Sequence, residues 1–321
     1  MTTSNITGVD RLIHALARAG VRRNEWRVAP GLYRMGSAGP QSPVFASANY
    51  KLSFDALREA LDGIDCYILA LDTKGINVWC AAGKGTFGTD ELVYRIEKTG
   101  LADVVEHRRV IVPQLGATGV SAPQVRERSG FKVTFGPVRA ADIPEFLETG
   151  KATEEMRTVM FDLRDRAVLI PVEAKAAIPI AGGASALAYL AGDTVAAAGI
   201  AAASVSGFAG VPTLLPWLPG EDFSAKGFFL GGIVGLAAAV AALRDDGSSL
   251  PIRLLRAASY ALLLPPITAF AALNFTGCST YTSPTGVRAE IDKYVRPMAA
   301  MAASGFIMNL AHRLVEAKRG R

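Results

Sequence analysis

The sequence predicts an α/β domain built on a parallel sheet over residues 1–166, followed by an all-α transmembrane bundle of about five helices over residues 167–321. Two observations lead to this expectation. Hydrophobic residues make up 50% of the chain, and the long apolar stretches all lie in its second half. In the first half, strand-like and helix-like runs alternate, which is typical of parallel sheets with crossover helices.

The strand-like runs of the first half are short, apolar and rich in β-branched or aromatic residues. They are CYILAL (66–71), INVW (76–79), RVIVPQ (109–114) and FKVTFG (131–136). The helix-like runs carry capping and turn residues at their ends. They are SFDALREALDG with Ser53 as N-cap, TDELVYRIEKTG with Thr89 as N-cap, APQVRERSG and DIPEFLETG. This order predicts a doubly wound, Rossmann-like parallel sheet.

Three segments that follow predicted strands point to a shared ligand site. They are NVWCAAGKG (77–85), PQLGATG (113–119) and FGPVRA (135–140). Ligands of open parallel sheets bind outside the carboxyl ends of the strands. We therefore expect these segments to line one crevice.

The second half contains five apolar stretches that approach or reach the length needed to cross a bilayer. They are residues 176–191, 194–218, 227–243, 254–273 and 298–315. Their many small residues suit close helix packing in membrane lipid. Five crossings from a cytoplasmic domain would place the Arg-rich loop RDDGSSLPIRLLR and the tail HRLVEAKRGR outside the cell. That arrangement opposes the positive-inside tendency, so an even number of crossings stays open.

Composition argues against several classes of function. The net charge is +5, and the basic residues are scattered among acidic ones, so we expect no nucleic-acid partner. The cysteines Cys66, Cys80 and Cys278 form no CxxC pair, which excludes a zinc knuckle or an iron–sulfur cluster held by this chain alone. The three histidines are far apart in sequence, and no motif pairs them with a nucleophile.

The stretch NVWCAAGKGTFGT, residues 77–89, contains glycines with the GxGxxG spacing of dinucleotide sites. In such sites the first glycine directly follows a strand, whereas here Cys80, Ala81 and Ala82 intervene. Bulky Lys84 and Phe87 also stand between the glycines. A Walker phosphate loop fails as well, because it needs Ser or Thr after its lysine and Lys84 is followed by glycine.

Cys80 lies where we expect a strand to give way to a helix. The positive end of a helix dipole and the nearby Lys84 favour the thiolate form. A thiolate there could serve as a nucleophile, a redox thiol or a metal ligand. No general base and no nearby second cysteine is visible, which leaves a soft ligand for a cofactor metal, or a buried structural thiol.

The segment NVWCAAGK, residues 77–84, resembles the cap-helix signature of the corrinoid protein of bacterial and archaeal mercury methylation. Other stretches are similar to the same family. They are VAPGLY (28–33), SPVFASANYKLSFDALREAL (42–61), VPQLGATGV (112–120), RSGFKVTFGPVRAADIPEFL (128–147) and NFTGCSTYTSPTGV (274–287). The large subunit of the corrinoid iron–sulfur protein of acetyl-CoA synthesis resembles only the first half.

The resemblance implies a base-off, cobalamin-type corrinoid whose cobalt takes Cys80 as its lower axial ligand, so that Cys80 is both the catalytic and the metal-binding residue. The implied cap helix comprises Asn77, Val78, Trp79, Cys80, Ala81, Ala82, Gly83 and Lys84. The other implied cofactor-binding residues are Gly85, Thr86, Gln114, Gly116 and Gly136.

The resemblance also implies a reaction and its partners. A methyl group would pass from a methyl-folate-linked donor protein, via methyl-Co(III), to Hg(II), giving methylmercury. A ferredoxin-like protein with two [4Fe–4S] clusters would supply electrons. The protein would be multi-pass in the cytoplasmic (inner) membrane with its soluble domain in the cytoplasm. Two alternatives remain: a membrane-anchored corrinoid methyl carrier with another acceptor, and a membrane transporter or sensor with a nucleotide-binding domain.

Overall fold

The computed structural model describes residues 1–245, 247–276 and 284–319, with the side chains of residues 284 and 317–319 left out. The chain forms two compact units, Met1–Met160 (unit 1) and Phe161–Arg321 (unit 2). Unit 1 is a mixed α/β structure with a five-stranded sheet, and unit 2 is helical.

The elements of unit 1 alternate between strands and short helices. The strands are β1 (Gly31–Met35), β2 (Val44–Ala48), β3 (Cys66–Leu71), β4 (Arg109–Val112) and β5 (Lys132–Phe135). The helices are α1 (Gly8–Arg18), α2 (Lys51–Ala60), α3 (Val78–Gly83), α4 (Thr89–Lys98), α5 (Leu101–Val104), α6 (Ala122–Ser129), α7 (Ile143–Thr149) and α8 (Glu154–Arg157).

The strand order of the sheet is β1-β3-β2-β4-β5. Strands β2, β3, β4 and β5 are parallel, as the sequence predicts, whereas β1 pairs antiparallel with β3 at the edge. The sequence does not predict β1 or the central strand β2. Since β3 lies on one side of β2 and β4 on the other, the direction in which strands are added reverses between β2 and β4.

Helices cover both faces of the sheet. Since alternate side chains of a strand point to opposite faces, neighbouring residues of one strand belong to different buried clusters. In β3, Ile68 belongs to a buried cluster that includes residues of α2 and α7. Its neighbour Leu69 belongs to a second cluster with residues of α3, α4, α5 and α6. Strand β3 is buried along its whole length, which explains its continuous apolar sequence.

Three sequence-based assignments are wrong in detail. Residues 76–79 are not a strand, because the Asn77 side chain caps a helix that begins at Val78. Ser53 is not the N-cap of α2, which begins two residues earlier, after Tyr50. Thr89 lies inside α4 after the N-cap Gly88, since its hydroxyl oxygen accepts a hydrogen bond from Ser121 N at 2.8 Å instead.

Asp10 and α2 connect the amino-terminal segment to the sheet layer through buried ion pairs. The Lys51 ammonium donates to Asp10 at 2.7 Å, and Arg58 contacts Asp10 at 3.0 Å and Asp55 at 2.7 Å. The hydrogen bond from Lys51 holds the pKa of the Asp10 carboxyl well below its usual range. Asp10 therefore stabilises the folded state at neutral pH, and this contribution is lost as the pH falls below about 4.

Asp10→Asn is accordingly expected to reduce the acid sensitivity of α1. In the wild type, hydrogen-exchange protection of α1, corrected for intrinsic rates, should drop when the pH is lowered from 6 to 3. The variant should begin with weaker protection and change less. Asp103→Asn, at an exposed aspartate of α5, is the control. An equal drop in the protection of α1 in the wild type and in Asp10→Asn would contradict the assignment of this acid sensitivity to Asp10.

Unit 2 consists of helices over its described residues. They are α9 (Leu163–Ala167), α10 (Ile170–Leu190), α11 (Thr194–Val205), α12 (Val211–Leu214), α13 (Phe223–Leu243), α14 (Leu250–Phe275) and α15 (Pro284–Arg319), with a π-helical segment at Ser206–Gly210. Close approach of their backbones depends on glycine. A Cβ on Gly231 would lie 2.7 Å from Pro265 Cα, and one on Gly305 would lie 2.8 Å from Leu263 N.

Within the described residues, four helical stretches are long and apolar enough to cross a membrane, which indicates membrane association. They are Leu163–Leu190, Thr194–Trp217, Phe223–Leu243 and Leu250–Phe275. The predicted count of five is not confirmed. The predicted fifth span lies within α15, where Asn309, His312 and Arg313 interrupt the apolar run.

A buried carboxylate connects three helical regions of unit 2. Asp193, which is 4% exposed, accepts hydrogen bonds from the Tyr260 hydroxyl at 2.5 Å and from Arg313 at 3.1 Å. Arg256 also contacts Asp193, at 3.3 Å. An unpaired charge would be costly in this setting, so the cluster joins the turn before α11 to α14 and α15.

Candidate functional site

A cleft of about 330 Å³ opens beside β2 and β4 of unit 1. It lies where the strand order reverses, the position at which open α/β sheets bind ligands. Residues of all three segments that follow predicted strands line it, so those segments do meet. The lining residues are Phe45, Ala46, Ser47, Ser53, Ala56, Leu57, Asn77, Val78, Trp79, Ile111, Pro113, Leu115, Gly136, Pro137, Val138, Ala140 and Ile143.

The short helix α3 begins at the rim of this cleft and carries Cys80. The Asn77 side chain accepts a hydrogen bond from Cys80 N at 2.9 Å and so caps the helix. Ala81 and Ala82 are buried, whereas Cys80 is a free, exposed thiol. The packing of α3 therefore turns its alanines inward and presents the cysteine at the surface.

The turn before α3 is fixed by Asn49, which sequence reasoning missed. The side-chain oxygen of Asn49 accepts hydrogen bonds from Thr73 N at 3.1 Å, the Thr73 hydroxyl at 3.0 Å and Gly75 N at 3.1 Å. Asn49 directly follows β2, so it joins the end of that strand to the connection that leads into α3. The sequence predicts no strand before the segment SANYK, so it does not indicate that Asn49 lies at a strand end.

The glycines after α3 do not form a dinucleotide site. Gly83 is the last residue of α3, and Gly85 and Gly88 lie between α3 and α4, whereas the glycines of a dinucleotide site directly follow a strand and β3 ends at Leu71. Gly85 adopts a φ of +78°, which favours glycine. Gly88 lacks space for a side chain, because a Cβ there would lie 2.9 Å from the Gly85 carbonyl oxygen.

Phe87, which is fully buried, packs α3 against the 114–119 turn. A Cβ on Gly116 would lie 2.5 Å from the Phe87 ring, and one on Gly119 would lie 2.2 Å from the Phe87 carbonyl oxygen. The amides of Thr86 and Phe87 both donate to Ala81 O, at 2.9 and 3.1 Å. The lack of a side chain at Gly116 is thus explained by packing inside the protein.

The remaining residues that the sequence singles out lie around this structure. Lys84 is exposed at the end of α3, and Gly83 has open space around the position of a Cβ. The Gln114 side chain accepts a hydrogen bond from Arg157 at 3.5 Å. Gly136 donates to Val112 O at 2.9 Å and lines the cleft, where a Cβ would lie 3.0 Å from Ile111.

Tyr50 is a second residue that sequence reasoning missed. It precedes α2, is 3% exposed, and belongs to the same buried cluster as Val78, Ala81 and Ala82 of α3. The pKa of the Tyr50 hydroxyl is raised above its usual value, mainly because the residue is buried. The charges of Arg23 and Arg18 act in the opposite direction, and Cys80 adds to the rise. The Tyr50 hydroxyl has no hydrogen-bond partner among the described residues.

The other cysteines and the histidines offer no comparable site. Cys66 is buried in β3, and burial raises the pKa of its thiol to about 12. Cys278 lies outside the described residues. His14 contacts Asp55 at 2.7 Å and His107 contacts Ser42 O at 2.8 Å. Over the described ranges, no three His, Cys, Asp or Glu side chains group to hold a metal ion.

Asn77→Ala is expected to destabilise α3, because a lost N-cap costs about 1 kcal/mol and this helix has only six residues. Amide exchange of Cys80 and its neighbours should become several times faster. Thr153→Ala is the matched control, since Thr153 caps α8 in the same way. It should leave exchange in α3 unchanged. If Asn77→Ala also left it unchanged, another contact would have to hold α3.

Comparison with known proteins locates the similarity in unit 1. Residues 22–147 match the family model CdhD, described as "CO dehydrogenase/acetyl-CoA synthase delta subunit". This region of the chain is CdhD-like. It contains β1 to β5, α2 to α6 and the first five residues of α7, and therefore both the cleft and Cys80.

Curated relatives match the same part of the chain. The gamma subunit of the acetyl-CoA decarbonylase/synthase complex of Methanopyrus kandleri is 34% identical over 128 residues, which cover 39% of this chain and 27% of that protein. The corrinoid/iron–sulfur protein large subunit of Moorella thermoacetica is 28% identical over 129 residues, covering 40% of this chain and 28% of that protein. The matched region thus spans about a quarter of the length of these relatives.

Proposed function

We propose that this protein is a membrane-bound, corrinoid-dependent methyltransferase in which Cys80 is the lower axial ligand of the cobalt. The observation that carries the proposal is the exposed Cys80 thiol on α3, a helix whose first residues, Val78 and Trp79, line the switch-point cleft and which lies inside the CdhD-like region. The resemblance of NVWCAAGK to the cap helix of mercury methylation proteins is the reason for proposing Hg(II) as the acceptor of the methyl group.

The residues at this site suit a corrinoid. Cys80 supplies a soft sulfur ligand, and it is exposed where a structural cysteine would be buried. The cleft next to its helix is lined largely by apolar side chains and opens beside β2 and β4. When bound, a corrinoid supplies a cobalt that carries a methyl group between a donor and an acceptor.

The chain's own residues define the site in three ways. The Cys80 thiolate would hold the cobalt of a bound corrinoid, and its electron density would suit a cofactor whose chemistry is methyl transfer. The Asn77 cap and the Phe87 anchor hold α3 so that the thiol keeps a fixed direction. Trp79, which is 38% exposed, adds an aromatic side chain to the lining of the cleft.

The proposed function requires one partner that donates electrons and another that donates methyl groups. Its three cysteines are fewer than the four that a [4Fe–4S] cluster takes, so a separate ferredoxin-like protein with two such clusters would supply the electrons that a bound corrinoid needs. A methyl-folate-linked protein is the proposed methyl donor. The Methanopyrus kandleri relative is, by name, a subunit of an acetyl-CoA decarbonylase/synthase complex, which supports the expectation of protein partners.

We further propose that residues 1–166 form the corrinoid-binding domain on the cytoplasmic side of the inner membrane and that residues 167–321 form a multi-pass transmembrane domain. The four apolar helical stretches support the membrane part of this proposal. Membrane attachment would keep the methyl carrier close to the place where Hg(II) enters the cell.

A second function is favoured by the names of the relatives. In it, the protein is a membrane-anchored methyl carrier of one-carbon metabolism whose acceptor is not mercury. The relatives belong to acetyl-CoA decarbonylase/synthase and corrinoid/iron–sulfur proteins, and none of these names mentions mercury. Both functions use the same site and the same role of Cys80.

Product analysis distinguishes the two functions. The full-length protein in detergent is loaded anaerobically with methylcobalamin and mixed with HgCl₂, and methylmercury is measured by mass spectrometry. The proposal predicts faster formation than with free methylcobalamin at the same concentration. If the protein binds methylcobalamin but does not exceed the protein-free rate, the Hg(II) acceptor is wrong and the carrier function stands. Failure to bind any corrinoid would reject both.

A further inference from the structure

Helix α1 is oriented opposite to an ordinary surface helix. Such a helix normally packs its apolar stripe against the core and leaves its polar side in water. In α1 the polar residues Asp10 and His14 face the protein, with 14% and 16% of their side chains exposed. Val9 and Leu12 face outward, at 67% and 59% exposure. The helix therefore presents apolar side chains to whatever lies outside unit 1.

Buried ion pairs fix this orientation. Asp10 pairs with Lys51 at 2.7 Å and with Arg58 at 3.0 Å, and His14 Nε2 lies 2.7 Å from a carboxylate oxygen of Asp55. Turning the helix to bury its outward side chains would break these contacts and leave the fully buried Asp55 side chain with fewer partners. The exposed apolar side is therefore a stable property of the fold, and its explanation lies outside unit 1.

The outward side of α1 combines apolar and basic residues. Val9, Leu12 and Leu16 are spaced by three and four residues, so they form one stripe along the helix, with Leu16 partly exposed. Arg11 and Arg18 are exposed together on one side of this stripe, and neither forms an ion pair with a residue that the structure describes. An apolar stripe flanked by free arginines is typical of helices that lie in the interface of an anionic membrane.

The chain itself places a membrane close to unit 1. Unit 1 ends at Met160, and the first apolar helical stretch begins at Leu163. With such a short connection, even a weakly attracted helix meets lipid at a high effective concentration. A second copy of the chain fits this surface less well, because two such faces would bring the unpaired arginines of both copies together. Acidic lipid headgroups would instead neutralise these arginines.

We propose that the α1 face, formed by Val9, Leu12, Leu16, Arg11 and Arg18, docks on the anionic surface of the membrane to which unit 2 attaches. The arginines bind acidic headgroups, and the apolar stripe enters the boundary between headgroups and acyl chains. Docking gives unit 1 a second attachment to the bilayer besides the chain connection. The inference depends on membrane attachment of unit 2 and not on corrinoid binding.

The test measures hydrogen exchange of the α1 amides in full-length protein in lipid nanodiscs. One set of nanodiscs contains phosphatidylcholine alone, and the other contains about one-third phosphatidylglycerol, an anionic lipid. The double variant Arg11→Gln/Arg18→Gln removes both arginines of the α1 face. Arg109→Gln/Arg126→Gln is the matched control, because it removes two exposed arginines elsewhere in unit 1 and has the same net charge. The readout is the ratio of the exchange rates in the two lipids for each protein, so that a change in helix stability cancels.

Wild-type α1 is expected to exchange at least about threefold more slowly in the anionic nanodiscs, because one basic residue near such a surface already strengthens binding roughly fivefold. Added salt should reduce this difference, since it screens the headgroup charge. The ratio should fall to about one in Arg11→Gln/Arg18→Gln, which lacks the headgroup contacts, and should keep the wild-type value in the control. Leu12→Gln should also reduce the effect, because the apolar stripe contributes to docking.

Four outcomes would overturn the inference. Equal exchange of wild-type α1 in the two lipids would mean that the α1 face does not dock on anionic lipid. Protection of α1 in detergent that rises with protein concentration, and is independent of lipid charge, would assign the face to a second copy of the chain. Equal loss in the two double variants would reduce the effect to net charge. Protein that does not enter nanodiscs would reject membrane attachment of unit 2 as well.

Discussion

Cys80→Ala is expected to remove the protein's acceleration of methyl transfer from bound methylcobalamin to Hg(II), lowering it by at least about 100-fold. Loss of residues that merely support a metal ligand already costs about 10–100-fold in affinity or activity, and loss of the ligand itself should cost more. Alanine has good helix propensity, and Cys80 is exposed, so α3 should stay folded. Methylmercury formation by the loaded protein, corrected for the protein-free reaction, provides the measurement.

Cys66→Ala is the control for loss of a thiol. Cys66 is buried in β3 and belongs to the core on the α2 side of the sheet, away from the face that α3 covers. This variant should lose some stability, because a small cavity forms. It should keep the wild-type rate once folded. A comparable loss of rate in both variants would show that the effect of Cys80→Ala is not specific to the ligand.

Gly119→Ala is expected to lower the free energy of unfolding by about 1–3 kcal/mol and to loosen α3. The new Cβ would lie 2.2 Å from Phe87 O and 3.1 Å from Ala82 Cα. Both atoms belong to the backbone, so no side-chain rotation can relieve the clash. The segment that follows Cys80 must shift, and corrinoid binding should weaken together with stability.

Gly39→Ala is the matched control for this substitution, because a Cβ at Gly39 meets nothing within 4 Å. Hydrogen exchange of unit 1 peptides across a urea series measures both variants. Gly119→Ala should lower the protection of residues 81–87, whereas Gly39→Ala should resemble wild type. Equal effects of the two substitutions would mean that the contact between the 114–119 turn and α3 does not restrain the helix.

Much of unit 1 is predictable from local sequence patterns. Strands β3, β4 and β5 are apolar runs bounded by turn residues, and Gly100, Gly130 and Gly150 adopt positive φ just after helices. Strand β2 was missed because VFASA is short, partly small or polar, and followed within three residues by α2. Strand β1 owes its place to an antiparallel pairing with β3 that no local pattern specifies.

The sequence predicts which segments form the site, but it does not predict the contacts that hold α3 in place. Residue types indicate a thiol near the end of an apolar run, yet INVW looks like a strand until the Asn77 cap is known. The sequence also gives no structural reason for Gly116 and Gly119, which in the fold make room for Phe87. Asn49 and Tyr50 act through residues that are distant in sequence, and only the fold brings them to α3.

The most direct test of the central claim is the anaerobic absorption spectrum of the full-length protein in detergent, loaded with methylcobalamin, for wild type against Cys80→Ala. We predict a base-off, cobalt–thiolate spectrum in wild type that is lost in the variant while the variant stays folded. Identical spectra in the two proteins, or no bound corrinoid in wild type, would contradict the assignment of Cys80 as the cobalt ligand.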